Sequence, residues 1–412
     1  MSRNPEIPTA TAFAWRLAMF YAALFVALGV QLPFLPVWLA AKGLDAGAIG
    51  MALAIPQIVR VVTIPLATRS ADRRDALRGA LMVTAAAAAL GYGVVALAPG
   101  TGGLMAAFAL ASAFYTPIMP LTDAYALRWL SRPTPDGERR APGMRAYGPV
   151  RVWGSAAFIA GSFAAGAMLD ALPARDLIWL VVGALVLTAA AACALQPLVP
   201  LAPAGPVGPL GPHAAGAATT SSSARALLRD PAFMAIVAAS SLIQASHAVY
   251  YGFSALDWRA AGLDGTAIGG LWAIGVVAEI VLFAVSGRLS VAPSTLLLLG
   301  AAGAVIRWSA MALDPPAALL VPLQCLHALS FGTTLLGTLG LMTRTVPPGL
   351  GATAQGYLAV ALGLVMAAAM GLSGVLYARW GVLAYAAMAL TAAAGGVFAW
   401  AARAASRETG RA

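Results

Sequence analysis

The stretch GLDAGAIG, Gly43 to Gly50, returns as GLDGTAIG at Gly262 to Gly269. Six of the eight positions are identical, and the second copy begins 219 residues after the first in a chain of 412. Beyond each copy the identity fades, from MALAIPQIVR to GLWAIGVVAE, while the apolar character persists. A single weak repeat at about half the chain length predicts two similar halves.

Composition says what the halves are made of. Hydrophobic residues are 61% of the chain and charged residues 10%, against about 25% charged in soluble domains. So few charges cannot cover an aqueous surface, so most of the chain is expected to face lipid. The formal net charge of +10 does not point to nucleic acid, because the basic residues form short clusters between apolar runs rather than a face or tail. Cys193 and Cys325 lie singly in apolar segments, which predicts neither a disulfide framework nor a metal site.

Twelve apolar runs are long enough to cross a hydrocarbon core as helices of roughly 20 residues. They fall near 15–41, 46–68, 79–98, 102–130, 149–170 and 175–196, then 230–256, 264–290, 293–312, 316–345, 350–377 and 380–405. The fold class expected is therefore all-α and integral to the membrane. Residues 1–196 form one six-helix half and 230–412 the other, with a Pro-, Gly- and Ser-rich linker, containing His213, over 197–229. The opening run is too long for a signal-peptide core and reads as the first helix.

The arginines orient the bundle. Arg69, Arg73, Arg74 and Arg78, then Arg128, Arg132, Arg139, Arg140 and Arg145, then Arg225, Arg229, Arg288, Arg344 and Arg403 all fall on one side. The other side holds Lys42, Arg175, Arg259 and Arg379. By the positive-inside rule both termini are expected in the cytoplasm. All but one of the 25 basic residues are arginine, which suggests a GC-rich bacterial genome and hence a bacterial inner membrane.

Two parallel six-helix halves joined by a cytoplasmic linker form a transporter layout. QLPFLPVWLAAKG followed by GLDAGAIG, then RSADRRDALR, resembles the major facilitator superfamily. YGPVRVWGSAAFIAG, LWAIGVVAEI, IRWSAMAL and LQCLHALSFG are similar to the 3-phenylpropionate permease group within it, distantly related to lactose permease and nucleoside symporters. The resemblance implies a secondary transporter rather than an enzyme. It also implies that Asp72, Arg73 and Arg74, with Asp75, act as a conformational latch between helices.

The chemistry is expected in the few ionisable groups inside the runs, each of which costs about 2.5–3.5 kcal/mol at the bilayer centre. Glu279 lies roughly 22 Å along its helix from Asp264 and 13 Å from Arg288. It must face an interior cavity, pair with a cation or carry a proton. The repeat offset maps Glu279 onto Arg60, so both are expected to flank one central site, although Arg60 has a snorkelling alternative beside Arg69. Arg307 and His327 complete a proton-coupling set. In lactose-permease-like symporters a Glu, an Arg and a His occupy helices eight, nine and ten in this way. Their second carboxylate, one turn after the histidine, would fall at Ser330 here, so the resemblance leaves Glu279 as the proton carrier.

His247, Trp272, Tyr250, Gln31 and Gln244 join Arg60 and Arg307 as candidate substrate contacts. Tyr250, Tyr251 and Trp308 have an alternative role as interfacial anchors, and His247 one as a helix-packing hydrogen bonder. Asp123 and Arg151, near the cytoplasmic ends of consecutive helices, are expected to form a structural or gating ion pair. The function expected is proton-coupled uptake of a small organic anion by alternating access. The aromatic acid comes mainly from the resemblance. The proton gradient is the energy source, no cofactor is needed and the protein is expected to be a monomer.

A sugar or nucleoside symporter is the nearest rival. An efflux antiporter is disfavoured because RVWGSAAFIAGSFAAGAML lacks the Gly-Pro element typical of drug–proton antiporters. An enzyme would show clustered nucleophile–base or metal-ligand residues, and the sequence has none.

Overall fold

A computed structural model describes residues 10–130, 144–198, 225–288 and 290–408, and for 10–11, 130, 144–152 and 406–408 it describes backbone alone. Among the described residues the structure is helical, with no strand. The helices are α1 (Ala10–Ala41), α2 (Ala46–Arg73), α3 (Leu77–Leu97), α4 (Gly100–Tyr115), α5 (Ile118–Leu130), α6 (Met144–Ala171) and α7 (Ile178–Ala194). After the linker, most of which lies outside the described residues, come α8 (Pro231–Ala245), α9 (Ala248–Ala260), α10 (Gly265–Ser286), α11 (Pro293–Met311), α12 (Ala317–Cys325), α13 (Thr334–Thr345), α14 (Gly351–Trp380) and α15 (Ala384–Glu408).

The repeated octapeptide is a helix-to-helix corner used twice. Gly43 and Gly262 take φ of 88° and 90°, the left-handed conformation in which a Cβ would be strained, and so end α1 and α9. Two residues later the aspartate starts the next helix. Asp45 accepts the Ala48 N–H at 2.7 Å and Asp264 accepts that of Ala267 at 2.6 Å, each satisfying an otherwise orphaned donor. The isoleucine that follows is buried in both copies, Ile49 at 2% and Ile268 at 0% exposure. The repeat survives because stop, start and anchor each demand a particular residue type.

Among the described residues eleven segments are long and apolar enough to cross a membrane. Three of them are broken helices. Gly100–Trp129 is interrupted at Thr116–Pro117, where proline removes a donor. Pro231–Ala260 breaks at Ser246 and His247. There Ser246 Oγ and His247 Nδ1 donate to the Ile243 carbonyl at 2.6 and 3.2 Å, so side chains compete for a backbone acceptor. Ala317–Thr345 loosens into a π-helical stretch at Ala328–Thr333. The eleventh segment, Gly351–Ala405, is 55 residues long and contains α14 and α15, with Gly381 at φ 53° between them.

The chain forms two compact units: Met1–Gly43, Val62–Leu201 and Gly262–Gly270 in one, and Leu44–Val61, Ala202–Ala261 and Leu271–Ala412 in the other. In the first, α1 is the central element, packed on α6 and α7. Ser162 donates to the Gly29 carbonyl at 3.0 Å where the α1 and α6 backbones approach. Tyr21 donates to Asp123 at 2.7 Å. Asp75 forms an ion pair with Arg128. Asp170, at the end of α6, accepts the N–H groups of Gly265 and Thr266 at 2.5 and 3.0 Å and so caps α10.

In the second unit α8 packs on α14 and α15, and α11 on α15 and α13. Gly337 lets α13 lie on the start of α11: an added Cβ would sit 2.6 Å from the Leu297 amide nitrogen and 2.8 Å from the Pro293 carbonyl oxygen. Backbone atoms cannot swing aside as side chains can. Gly337→Ala is therefore expected to destabilise this unit by about 1–3 kcal/mol, the usual cost of overpacking. A fall in the thermal unfolding midpoint of the detergent-solubilised protein would show it, and an unchanged midpoint would refute the tight approach.

Candidate functional site

The polar groups buried in the second unit gather around Arg307. Its side chain is completely buried on α11, a costly place for a guanidinium. The surroundings compensate it in three ways. Its Cζ lies 4.5 Å from the ring centroids of both Tyr250 and Trp308, a double cation–π contact, each worth about 2 kcal/mol when water is excluded. Nη2 donates to Gln324 Oε1 at 2.5 Å. Nη1 donates to His327 Nδ1 at 3.1 Å and to Ser330 Oγ at 3.4 Å.

These bonds determine the tautomers, because arginine only donates. His327 Nδ1 accepts from Arg307, so its ring is neutral with the proton on Nε2. That nitrogen lies 3.6 Å from Glu279 Oε2, and the imidazole connects the guanidinium to the carboxylate. His247 is protonated on the other nitrogen, since Nδ1 faces the carbonyls of Ile243 and Gln244 at 3.2 and 3.1 Å. Its Nε2 therefore accepts from Ser330 Oγ at 3.1 Å. Both chains of donors run outward from Arg307, one to Glu279 and one to His247.

Local sequence explains how these groups come together. His247 occupies the α8–α9 break, where the chain turns its ring inward. His327 immediately precedes the π-helical stretch, whose wider turn brings Ser330 inward, fully buried. Gly332 lies close against α10 there: an added Cβ would stand 2.6 Å from Leu282 Cδ2, one turn after Glu279. Trp272 stacks on Tyr250 at 4.4 Å, and Trp308 is held by its indole N–H donating to Ser246 Oγ at 2.9 Å. Three buried N–H donors of this cluster have no acceptor among the described residues: Arg307 Nε, Gln324 Nε2 and Trp272 Nε1.

Of the residues singled out in the sequence, the structure thus brings together Glu279, His327, Arg307, His247, Trp272 and Tyr250. Gln244 is buried on α8, contributing its backbone carbonyl to His247. Arg60 is exposed on α2, and its guanidinium donates to Gln57 one turn earlier at 3.4 Å. Gln31 belongs to the other unit and donates to Tyr92 at 2.5 Å. Asp123 accepts from Tyr21, and the side chain of Arg151 lies outside those described. Asp72, Arg73 and Arg74 are exposed at the end of α2, and the ion pair of that corner is made by Asp75. Sequence reasoning missed Gln324, whose signal was its place one turn before His327 on the same helix face. It also missed the role of Ser330 as a bridge between Arg307 and His247.

Residues 14–387 match the model of the MFS_1 like family. The chain belongs to that family. It is accordingly a multi-pass membrane protein and a secondary transporter of the major facilitator type, not an enzyme. A relative from Escherichia coli (strain K12), described as a probable 3-phenylpropionic acid transporter, is 32% identical over 322 residues, 76% of this chain and 78% of the relative. The maltose permease of Geobacillus stearothermophilus is 28% identical over 384 residues, 90% and 91% of the two chains. Among solved structures, the nucleoside transporter NupG superposes with a TM-score of 0.75 at 16% identity, covering 95% of this chain and 98% of NupG. A bacterial homologue of the human lysosomal transporter Spinster gives 0.70 at 13%, covering 97% and 98%. At these identities the structures speak for the family's fold alone.

Proposed function

We propose that the protein takes up a small organic anion, an aryl-propionate or a close chemical relative, together with a proton, by alternating access across a bacterial inner membrane. In this reading there are twelve crossings. A 55-residue helical segment is roughly 80 Å long, too long for one passage of about 30 Å, and the break at Gly381 divides it into two. Both termini are then cytoplasmic, where the positive-inside rule puts the arginine-rich corners.

The observation that carries the anion is the excess of donors. Among the described residues the buried guanidinium has no carboxylate in ion-pair contact and three N–H groups have no acceptor, an arrangement that suits a carboxylate, which only accepts and binds guanidinium strongly and directionally. Tyr250, Trp272 and Trp308 supply flat apolar walls for an aromatic body. The relative described as a 3-phenylpropionic acid transporter fits this chemistry. A sugar or nucleoside, as the names of maltose permease and NupG suggest, would need both donors and acceptors.

Coupling follows from charge balance in low dielectric. Through His327, Arg307 is balanced by Glu279. A substrate carboxylate at Arg307 would place two negative charges against one cation, which is costly where water is excluded. Arrival of the anion is therefore matched by a proton on Glu279, and the pair crosses with the charge of the site unchanged. Arg60 remains a candidate second cation for the substrate's path, and the Asp75–Arg128 corner a candidate latch.

Labelled 3-phenylpropionate supplied to cells expressing the protein is expected to accumulate, and a protonophore to abolish the accumulation. Uptake that persists with the protonophore would overturn the coupling. No uptake by protein shown to be in the membrane would overturn the substrate class, and a panel of sugars and nucleosides would follow.

A further inference from the structure

A second carboxylate, half-buried in the same unit, takes no part in the hydrogen bonds around Arg307. Asp257 lies near the end of the Pro231–Ala260 segment. Its Oδ1 accepts a hydrogen bond from the Tyr377 hydroxyl of α14, and Tyr377 is itself stacked on Phe253 at 4.2 Å. Oδ2 is buried and has no hydrogen-bond partner among the described residues. Two further polar atoms of the neighbourhood share that condition: Ser254 Oγ, one turn earlier on α9, and the fully buried Tyr385 hydroxyl of α15. Tyr385 interacts electrostatically with Asp257 on one side and with Tyr250 and Arg307 on the other.

The charged and titratable groups around Asp257 can be named element by element. α14 presents Tyr377, with Arg379 exposed and placed over Trp380 at 5.6 Å. α15 presents Tyr385, and the corner after α11 presents a carboxylate, Asp314. On its own helix, Arg259 is exposed. Among the described residues no cation lies within ion-pair distance of Asp257. An ionised carboxylate there would have one phenol donor, a second carboxylate nearby, no counter-charge in contact among the described residues and a buried Oδ2 without a donor, a combination that disfavours the charged form. A carboxylic acid suits the same surroundings. Its Oδ1 accepts from Tyr377, and its Oδ2–H has two unsatisfied hydroxyl oxygens in the neighbourhood as prospective acceptors.

We propose that Asp257 is a second proton-binding residue of this transporter, separate from Glu279, which holds its proton in the present conformation. When α9 and α14 part enough for water to reach it, the acid releases that proton to solvent and becomes a hydrated carboxylate. The cycle then has a proton site that does not compete with the substrate for Arg307. Its use in the cycle rests on the transport reading above; the proton site itself does not depend on which solute is carried.

Infrared difference spectroscopy of the full-length protein in lipid vesicles, titrated with acid and base and without any solute, tests it. The probe is the proton itself. The carbonyl stretch of a protonated carboxylic acid is expected in the wild type, and the component of it that persists in Glu279→Gln is expected to disappear in Asp257→Asn. Tyr377→Phe, which removes one hydrogen bond while keeping the ring, is expected to shift the band, and it serves where Asp257→Asn fails to fold. An acid band unchanged in both Asp257→Asn and Tyr377→Phe overturns the proposal, as does a spectrum whose entire acid signal is lost in Glu279→Gln. Failure of 3-phenylpropionate uptake would overturn the substrate and leave this band in place.

Discussion

Arg307→Gln is expected to lower the affinity for a carboxylate substrate by about 30-fold or more. Removing one partner of a buried, hydrogen-bonded charge pair costs about 2–5 kcal/mol, and each 1.4 kcal/mol is a factor of ten. Arg307 also organises the site, since it bonds to Gln324, His327 and Ser330 and sets the His327 tautomer. A bare loss of binding would therefore not separate a substrate contact from a scaffold. The discriminating measurement is a comparison of 3-phenylpropionate with its neutral amide as ligands of the purified protein. The wild type should prefer the acid, and Arg307→Gln should bind the two alike. Arg307→Lys should fall between them, because an ammonium retains the charge without the planar fork. A variant that kept the preference for the acid would remove Arg307 from the substrate's path and bring Arg60 forward in its place.

Glu279→Gln is expected to abolish accumulation against a gradient while leaving exchange of internal for external substrate within about threefold of the wild type. Gln keeps the shape and a hydrogen-bonding oxygen towards His327 Nε2, so the site's geometry survives. It cannot take up or release a proton, so the charge balance at Arg307 no longer depends on protonation. Exchange needs no net proton movement and should continue. Measured in vesicles with an imposed pH gradient, retained uphill accumulation would overturn the role of Glu279, and loss of exchange together with accumulation would make it a binding residue rather than a coupling one. His327→Asn should resemble a weaker form of the same variant, because the connection between Arg307 and Glu279 would lengthen without losing its charges.

Much of the architecture was written in local chemistry. The apolar runs follow from composition, and all the described helices lie in or beside them. The corners at Gly43 and Gly262 were legible because a left-handed glycine followed by a capping aspartate is a rule of the backbone, applied twice. What local chemistry leaves open is contact over distance. At the corner after α2, where the resemblance implied a latch of Asp72, Arg73 and Arg74 with Asp75, Asp75 pairs with Arg128, a contact 53 positions along the chain that no spacing rule anticipates. Arg60, placed at a shared central site by its correspondence with Glu279, bonds only to Gln57 among the described residues. A repeat relates positions along the chain, not the directions of individual side chains.

By itself the sequence determined that this is a helical, multi-pass membrane protein. It also determined which few ionisable residues stand where lipid penalises them, because those facts depend on composition and on the rise of a helix. Only the tertiary structure decided what those residues do to one another. The outward run of donors from Arg307, the neutral state of both histidines, Ser330 as a bridge and the isolation of Asp257 all arise from helices far apart in the chain. Hydrogen bonds and charges act over a few ångströms, and only the packing of those helices brings such groups within that range.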